Sequence, residues 1–590
     1  MRNRPTGASP ARSSRPTFLP ATLLALFALL WGPAAAAQLR AAGAADAADA
    51  AAAAAADAVT VTILQTTDVH GNLVAWDYAR SKESDVGLAR VATRVAAIRR
   101  ETPNVLLVDT GDTIQGTPIE YMHARRGGKG PDPTMAVMNA MSYDAMAVGN
   151  HEFNYGMDVL RRAEKDARFP WLSANTRLSK DGSPAFPEYL VREVGGLRVG
   201  LLGLTTPNIP NWEPEANRPG LKWEDPVETA KRLVPVLYGK ERCDAVVVLF
   251  HSGLETDPVT GEPNGTSHEN RVAALAREVP GVDLVLMAHS HRKVPLTRVG
   301  GTWVIQPGRW ADSLARVDLA FARRDGRWTL SGVKGALLPS DATVAADPAI
   351  TALAAPWHEA AVKAMDETVA EALGDFPADR ARLEDSAILD LVNDAQREAT
   401  GAQLSMTSLL PGGRFPGFPK GPIRVRDVFA LYPYENELVV VEVDGTALRA
   451  ILEHAATFYG SARWEGERLV LEPKAGMVPY NFDVVQGASY RIDPLSPPGK
   501  RVRDLSYRGR PVRPSDRFTL AVNSYRAQGA GGYAALKGSK VVKAFPVEIR
   551  ELLIDRLRAA GKVEPVVDHN WVIAPDAAWA PAAAAASSPH

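Results

Sequence analysis

The sequence predicts an α/β protein of two structured regions, the first built from sheets covered by helices and the second of mixed helix and strand. Three observations carry this. Apolar, β-branched runs recur as VTVTILQTTD, NVLLVDTGD, DAMAVGNHE, LRVGLLGLTT, CDAVVVLFHSG and VDLVLMAHSH. Each ends in polar residues, as a buried strand does before a loop. Helix-like stretches such as LARVATRVAAIRR and PVETAKRLVPVLYGKER stand between them, and strands alternating with helices imply helices packed on sheets. The length, 590 residues, exceeds one ordinary core and calls for roughly two to four domains.

The elements follow in order. Arg2, Arg4, Arg12 and Arg15 precede the apolar run Phe18 to Trp31, and Ala34 to Ala37 follow it. That run is short for a bilayer crossing, so residues 1–37 read as a cleaved signal peptide for general secretion. Residues 38–58 are nearly all Ala with a few Asp and read as a low-complexity linker. The first domain is expected over 59–345, closing with GTWVIQPGRWADSLARVDLAF as a pair of strands. A connecting helix is expected over 346–374, a second domain over 375–565, and a disordered tail over 566–590.

Composition narrows the chemistry. Lys plus Arg is 67 and Asp plus Glu is 68, which argues against a polybasic surface for nucleic-acid polymers or membranes. Cys243 is the single cysteine, so a disulfide framework within the chain is impossible and a thiolate metal site implausible. Any metal must be held by His, Asp, Glu or Asn.

Five polar clusters end the predicted strands: Asp68-Val69-His70, Asp109-Thr110-Gly111-Asp112, Gly149-Asn150-His151-Glu152, His251, and His289-Ser290-His291. Five of the 11 histidines fall in them. A lone Asp after a strand is usually a turn or helix cap, but five clusters in register with five strands are not explained that way. In open α/β sheets, loops at strand ends carry ligands and can converge at one edge. Asp and imidazole together suit Mn, Zn, Fe or Co. Gly111 permits a tight turn before Asp112, whose carboxylate can then reach two ions; ions bridged at about 3.5–4 Å are what a two-metal hydrolase needs.

TTDVHGN, DTGD, VGNHEFNYG, FHSG and AHSH, in that order, resemble the calcineurin-like metallophosphoesterases, and within them the exported 5'-nucleotidase group. HGNLVAWDY, GDTIQGTP, VIQPGRW, GGR around Arg414, LYPYENEL, PYNFDVVQG and SYRAQGAGGY are most similar to the 2',3'-cyclic-nucleotide 2'-phosphodiesterases with 3'-nucleotidase activity. The resemblance covers about residues 59 to 565 and implies a four-layer α/β/β/α metallophosphoesterase domain followed by a mixed α/β nucleotide-binding domain. It implies one ion on Asp68, His70, Asp112 and His291, and a second on Asp112, Asn150, His251 and His289. His151 is then not a ligand but a stabiliser and general acid beside the leaving oxygen. Tyr434 and Tyr525 would clamp the base, Gly529, Gly531 and Gly532 would let backbone approach the sugar or base, and Arg414 would touch phosphate.

Two positions depart from the pattern. Ala288 stands where a glycine usually precedes His-Ser-His, and Asn154 stands where 5'-nucleotidases usually carry an aspartate paired with the catalytic histidine. An amide cannot stabilise an imidazolium as a carboxylate does, which favours the cyclic phosphodiesterase branch. The expectation is therefore a periplasmic monomer that opens 2',3'-cyclic nucleotides to 3'-phosphates and dephosphorylates these, using two divalent ions. The alternative is a 5'-nucleotidase or nucleotide-sugar hydrolase on the same scaffold. A catalytically dead nucleotide binder is disfavoured by seven intact ligands, and an adhesion protein by the absence of repeats.

Overall fold

In the computed structural model, which describes residues 58–125, 127–256, 269–411, 415–434, 436–574 and 577–579, the apolar runs become two six-stranded sheets lying face to face. The leader, the linker up to residue 57, and Arg414 lie outside the described residues. β1 (Ala58–Thr66), β2 (Val105–Asp109), β3 (Ala145–Ala147) and β4 (Trp171–Leu172) run parallel, side by side. The chain then builds the second sheet from β5 (Tyr189–Val194), β6 (Leu197–Thr205), β7 (Ala245–His251), β8 (Leu284–Met287), β9 (Lys293–Val299) and β10 (Thr302–Pro307). Their spatial order is β9-β10-β8-β7-β6-β5. A long hairpin, β11 (Ser313–Arg324) and β12 (Arg327–Pro339), returns to the first sheet beside β1.

Strand periodicity sorts the side chains into layers. Leu64, Leu107 and Met146 join the core under the helix α1 (Leu88–Glu101), with Leu88, Val91, Val95 and Ile98. Val246, Val248 and Phe250 of β7 join a separate core with Val227, Leu233, Val234 and Leu237 of the helix α2 (Pro226–Gly239). The alternate residues point between the sheets: Gln65 sends its amide across to the Met287 carbonyl at 2.8 Å. The result is helix, sheet, sheet, helix. Asp225 starts α2 by accepting from the amides of Val227 and Glu228, with Pro226 preset for the first turn.

The connector is shorter than the sequence suggests. The helix α3 (Pro348–Met365), capped by Asp347, stops at Met365, and Thr368–Ala372 is already a strand paired with Gly421–Arg424. Val369, Ala370 and Ala372 are buried there, and that burial overrides the helical spacing that the sequence shows. The second domain centres on a five-stranded sheet of β13 (Leu404–Ser408), β14 (Glu437–Asp444), β15 (Asp483–Gln486), β16 (Arg517–Asn523) and β17 (Lys540–Glu548), in the order β15-β13-β16-β14-β17. The helices α4 (Ala387–Thr400), α5 (Gly445–Ala456) and α6 (Ile549–Ala560) pack around it.

The disordered tail expected over 566–590 needs correction over 566–574, while residues 575–576 and 580–590 lie outside the described residues. Trp571–Ile573 pairs with Ala488–Ile492, and Trp571 is buried. Asp390 and Asp385 accept from the backbone amides of Asp568 and Asn570 at 3.1 and 3.0 Å. An apolar ring and two captured amides hold this segment in place.

The two domains share one core. Tyr121 of the first packs edge-to-face on Phe429 of the second, and the Arg550 guanidinium lies over both rings. Arg125 pairs with Glu548 at 3.3 Å. No helix among the described residues is long and apolar enough to cross a membrane.

Candidate metal centre

Every candidate ligand ends a strand, as His251 does, or sits just past one, on the edge where both sheets present their loops. The loops after β1 and β2 are bonded to each other, Asp68 N–H to the Gly111 carbonyl at 2.9 Å and His70 N–H to the Asp112 carbonyl at 2.8 Å. Gly111, at φ +94°, brings this pair against the Asn150 loop: a Cβ there would meet the Gly149 nitrogen at 2.5 Å. Asp68, His70, Asp112, His289 and His291 all adopt positive φ, between 48° and 68°. These are among the non-glycine types that tolerate that region best.

Two groups form. Ligand atoms of Asp68, His70, Asp112 and His291 lie within 4.8 Å of one another, and so do those of Asp112, His251 and His289. Asp112 belongs to both. Asn150 joins the second group, its Oδ1 3.1 Å from His251 Nε2. The structure thus brings together all seven positions that the sequence singled out.

The surroundings decide which ring nitrogens face the centre. His251 Nδ1 lies 2.7 Å from the Thr110 carbonyl, and His70 Nδ1 lies 3.0 Å from the Gln115 carbonyl. A carbonyl only accepts, so each Nδ1 carries a proton and each neutral ring turns its Nε2 lone pair inward. His289 Nε2 contacts Glu269 at 3.1 Å; donating there leaves its Nδ1 with the lone pair. Burial holds His70 down to about 3, which keeps it neutral. Burial opposes charge on His251 as well, but the adjacent Asp112 carboxylate outweighs it and raises that ring to about 10.

The residues fit a pair of divalent ions on this structure's own evidence. Asp112 Oδ2 is buried and accepts no hydrogen bond, although His251 Nε2 is 3.1 Å away. The inward-facing atoms at His70, Asn150 and Asp112 are acceptors or lone pairs, as is Nε2 of His251 once that ring is neutral, and they repel one another unless a cation lies among them. Burial would raise Asp112, yet the imidazoles of His251 and His151 hold its carboxyl well below the usual range.

Three groups around the centre were given no role by the sequence reading. Glu152 is fully buried and accepts from the amides of Asp112, Thr113 and Gly149 at 2.9, 2.5 and 2.7 Å, clamping two ligand loops together. Glu213 accepts from Asn154, which in turn meets His151. Burial raises Glu213 to about 7 despite the neighbouring His151. The Arg309 guanidinium lies 3.2 Å from His291 Nδ1 and stacks on Trp310. Only Glu152 and Arg309 had a sequence trace, inside NHE and VIQPGRW.

The second domain overlooks the centre. Tyr434 is 42% exposed and sets its ring edge-to-face to Tyr480 at 6.2 Å. Tyr434, Tyr480 and Tyr525 lie within electrostatic reach of one another, Tyr434 also of Arg309, and Tyr480 and Tyr525 of Glu269. Beneath them Arg526 pairs with Asp483 at 3.0 Å, both side chains 1% exposed. The same guanidinium donates to the Tyr480 carbonyl at 2.6 Å and lies over the Tyr525 ring. The glycines are closely packed by protein on the side where a Cβ would project, Gly529 against Lys537. A Cβ at Gly531 would strike Arg526 and Asn481, and one at Gly532 would strike His454, so both make room for protein packing.

Comparison with known proteins agrees with this arrangement. The calcineurin-like phosphoesterase family model matches residues 61–293, and the model of the 5'-nucleotidase C-terminal domain matches residues 364–538. The chain is 32% identical over 595 residues to the 2',3'-cyclic-nucleotide 2'-phosphodiesterase/3'-nucleotidase of Haemophilus influenzae, covering 88% of each. It is 30% identical over 579 residues to the trifunctional nucleotide phosphoesterase YfkN of Bacillus subtilis, covering 88% of this chain but 39% of that longer protein. A candidate 5'-nucleotidase of Staphylococcus aureus, solved with alpha-ketoglutarate, superposes with a TM-score of 0.76 at 26% identity, over 87% of this chain and 100% of its own. By fold, by both matched domains and by identity along nearly its whole length, the chain belongs to the 5'-nucleotidase family of calcineurin-like phosphoesterases, which are metal-dependent hydrolases.

Proposed function

We propose that this protein opens 2',3'-cyclic nucleotides to 3'-phosphates and then removes that phosphate to leave the nucleoside. The observation that carries the reading is the pair of ligand groups sharing Asp112. Asp68, His70, Asp112 and His291 would hold one divalent ion, and Asp112, Asn150, His251 and His289 the other. Mixed nitrogen and oxygen donors suit Mn, Zn, Co or Fe. Two such ions supply charge for the phosphate oxygens and a nucleophile from water at neutral pH.

The protein's own groups do the rest. His151 has its Nδ1 against Asn154 at 2.5 Å, so Nε2 is the nitrogen that protonates the departing oxygen. In the first round the bond from phosphorus to the 2'-oxygen breaks, water's oxygen bonds to phosphorus, and the 2'-oxygen takes the proton. In the second round the 3'-oxygen leaves in the same way. Arg309, beside His291, offers its charge to the phosphate, and Arg414 is assigned there on the family resemblance alone. Tyr434 and Tyr525, with Tyr480 between their elements in sequence, hold the base by stacking.

The named activity of the Haemophilus influenzae relative supports this reading, since the match spans both chains. This chain spans 39% of the Bacillus subtilis protein, so the several activities in that name are not carried over. The second reading, a 5'-nucleotidase, is favoured by the Staphylococcus aureus fold match. Export through the N-terminal segment to the periplasm, as a monomer acting on free nucleotides and not on nucleic-acid polymers, belongs to the same proposal.

A substrate panel decides. Purified protein with added Mn, Co or Zn is given 2',3'-cyclic AMP, 3'-AMP, 5'-AMP and a nucleotide sugar. The proposal expects the first two to be turned over at the higher kcat/KM. Preference for 5'-AMP or the nucleotide sugar moves the protein to the second reading, and failure on all four with both ions bound removes both.

A further inference from the structure

We infer that Glu213 is the carboxylate that orients His151, acting at one remove through the side-chain amide of Asn154. This rests on the hydrolytic role given to His151 above. The geometry is a short chain: His151 Nδ1 stands 2.5 Å from Asn154 Oδ1, and Asn154 Nδ2 donates to Glu213 Oε1 at 2.5 Å.

The direction of that chain follows from what each group can do. An ionised carboxylate facing an amide can only accept, so once Glu213 has shed its proton, above about 7, Asn154 must turn its NH2 toward Glu213 and its carbonyl toward His151. His151 Nδ1 then has to carry the proton, and Nε2 is left as the working nitrogen. An amide alone does not impose this. Its two ends are nearly the same shape, and rotating it by half a turn would present NH2 to the imidazole and enforce the opposite tautomer. With Glu213 in place that rotation sets a carbonyl oxygen against a carboxylate oxygen and forfeits a charge-assisted hydrogen bond.

Glu213 is itself held. It is 5% exposed and stands between two short 3-10 turns, Ile209–Asn211 and Glu215–Asn217. Asn217 Nδ2 reaches its other oxygen at 3.4 Å, and Arg218 Nε grips its backbone carbonyl at 2.9 Å. The neighbouring Trp212 ring lies 5.2 Å from the His289 ring, which ties this segment to the metal centre. The carboxylate that Asn154 lacks is thus present, one link further back and about 60 residues on in sequence.

The test moves the carboxylate by one link. The variants are Glu213→Gln, Asn154→Asp and the pair together. In the pair, the new carboxylate at position 154 accepts from His151 while the new amide at position 213 donates to that carboxylate, so the same chain is rebuilt with its charge displaced. Glu213→Gln leaves the direction of Asn154 unenforced, and Asn154→Asp alone sets two carboxylates face to face. Each single variant should lose kcat by roughly 10–100-fold, the usual range for a supporting partner of an active-site histidine, with KM and metal content near wild type. The pair should return to within roughly threefold of wild type, a coupling that independent sites do not show. A pair no better than its worse single variant overturns the inference, as does an unchanged kcat in Glu213→Gln.

A second readout is independent of turnover. The Nδ1–H of His151 should give a downfield proton resonance, assigned by its loss in His151→Asn. It should shift or broaden in Glu213→Gln and return in the pair. An unchanged resonance in Glu213→Gln also overturns the inference. A wild type that hydrolyses nothing while this resonance behaves as stated would sink the hydrolytic reading and leave the Glu213 chain standing. If Glu213 only supported the fold, Tm would fall in every variant and the losses would add in the pair.

Discussion

Replacing Tyr434 by Ala tests whether the second domain binds the base. The ring is 42% exposed in the free protein, so that fraction of its surface is available to a stacked base. An aromatic side chain offers on the order of 200 Å², which makes about 80 Å² newly covered on binding. At about 25 cal/mol per Å² that is about 2 kcal/mol, within the about 1–3 kcal/mol expected for a stacked base. The expected outcome is a rise in KM for 2',3'-cyclic AMP of roughly thirtyfold, since each 1.4 kcal/mol is about a factor of ten. Some of it can appear in kcat, because remote binding energy positions the phosphate. Methyl-ribose cyclic phosphate, which has no aromatic group, is the control in a steady-state phosphate-release assay, and its kinetics should stay within roughly threefold of wild type. Equal losses on both substrates would refute the reasoning: the ring would then be supporting Tyr480 and the domain junction. The same comparison applies to Tyr525→Ala, whose ring also packs on Arg526.

Three further outcomes are expected. Asp112→Asn keeps the side-chain shape but removes the charge shared by both ligand groups, so turnover should be lost and metal analysis should show fewer than two ions; activity within tenfold of wild type with both ions bound would rule out the bridge. His151→Asn should leave two ions bound while lowering kcat by on the order of 10²–10⁴-fold, and a missing ion in that variant would make His151 a ligand. The third concerns pH. Burial, reinforced by Asp385 and Asp568, raises Asp390 to about 8, so between its unfolded value and that point the folded state holds a proton that the unfolded chain has lost. Stability is therefore fully present at low pH and falls as pH rises toward 8, by at most about 1.4 kcal/mol per pH unit for this group. Asp390→Asn should flatten that slope in urea titrations at pH 5 and pH 8, and an unchanged slope would show that the carboxyl is already ionised.

What the sequence revealed, it revealed because the information was local. Asp68, His70, Asp112, Asn150, His251, His289 and His291 each directly end or follow an apolar strand run, so reading strands was enough to bring them to one edge. Asn150 and His151 are adjacent in sequence yet are assigned different parts, and only the family resemblance separates them. Groups that work across long separations left no such mark. Glu213 sits in a stretch with no strand or helix pattern, Glu269 supports His289 from a loop, and Tyr480 lies in an isolated 3-10 turn. That Arg526 and His454 crowd the Cβ positions of Gly531 and Gly532 is a long-range contact that no local pattern marks. Trp571 is a large apolar ring directly after the polar run Asp568-His569-Asn570, and its burial against the Ala488–Ile492 strand was the signal that this stretch folds.

The left-handed backbone at Asp68, His70, Asp112, His289 and His291 bears on how such a centre changes over evolutionary time. On the proposed ligand assignment, each of these positions would answer two demands at once, a donor atom for an ion and a residue type that tolerates φ near +50° to +70°. Asp, Asn and His meet both, and β-branched or bulky apolar residues meet neither. The substitutions open to drift are therefore exchanges within that small group, which alter charge and donor while preserving the loop. That route would allow a descendant to retune its ion without first losing its fold. It also makes alanine a poor probe here, because removing the donor adds a local strain on the order of 1 kcal/mol that has nothing to do with the metal.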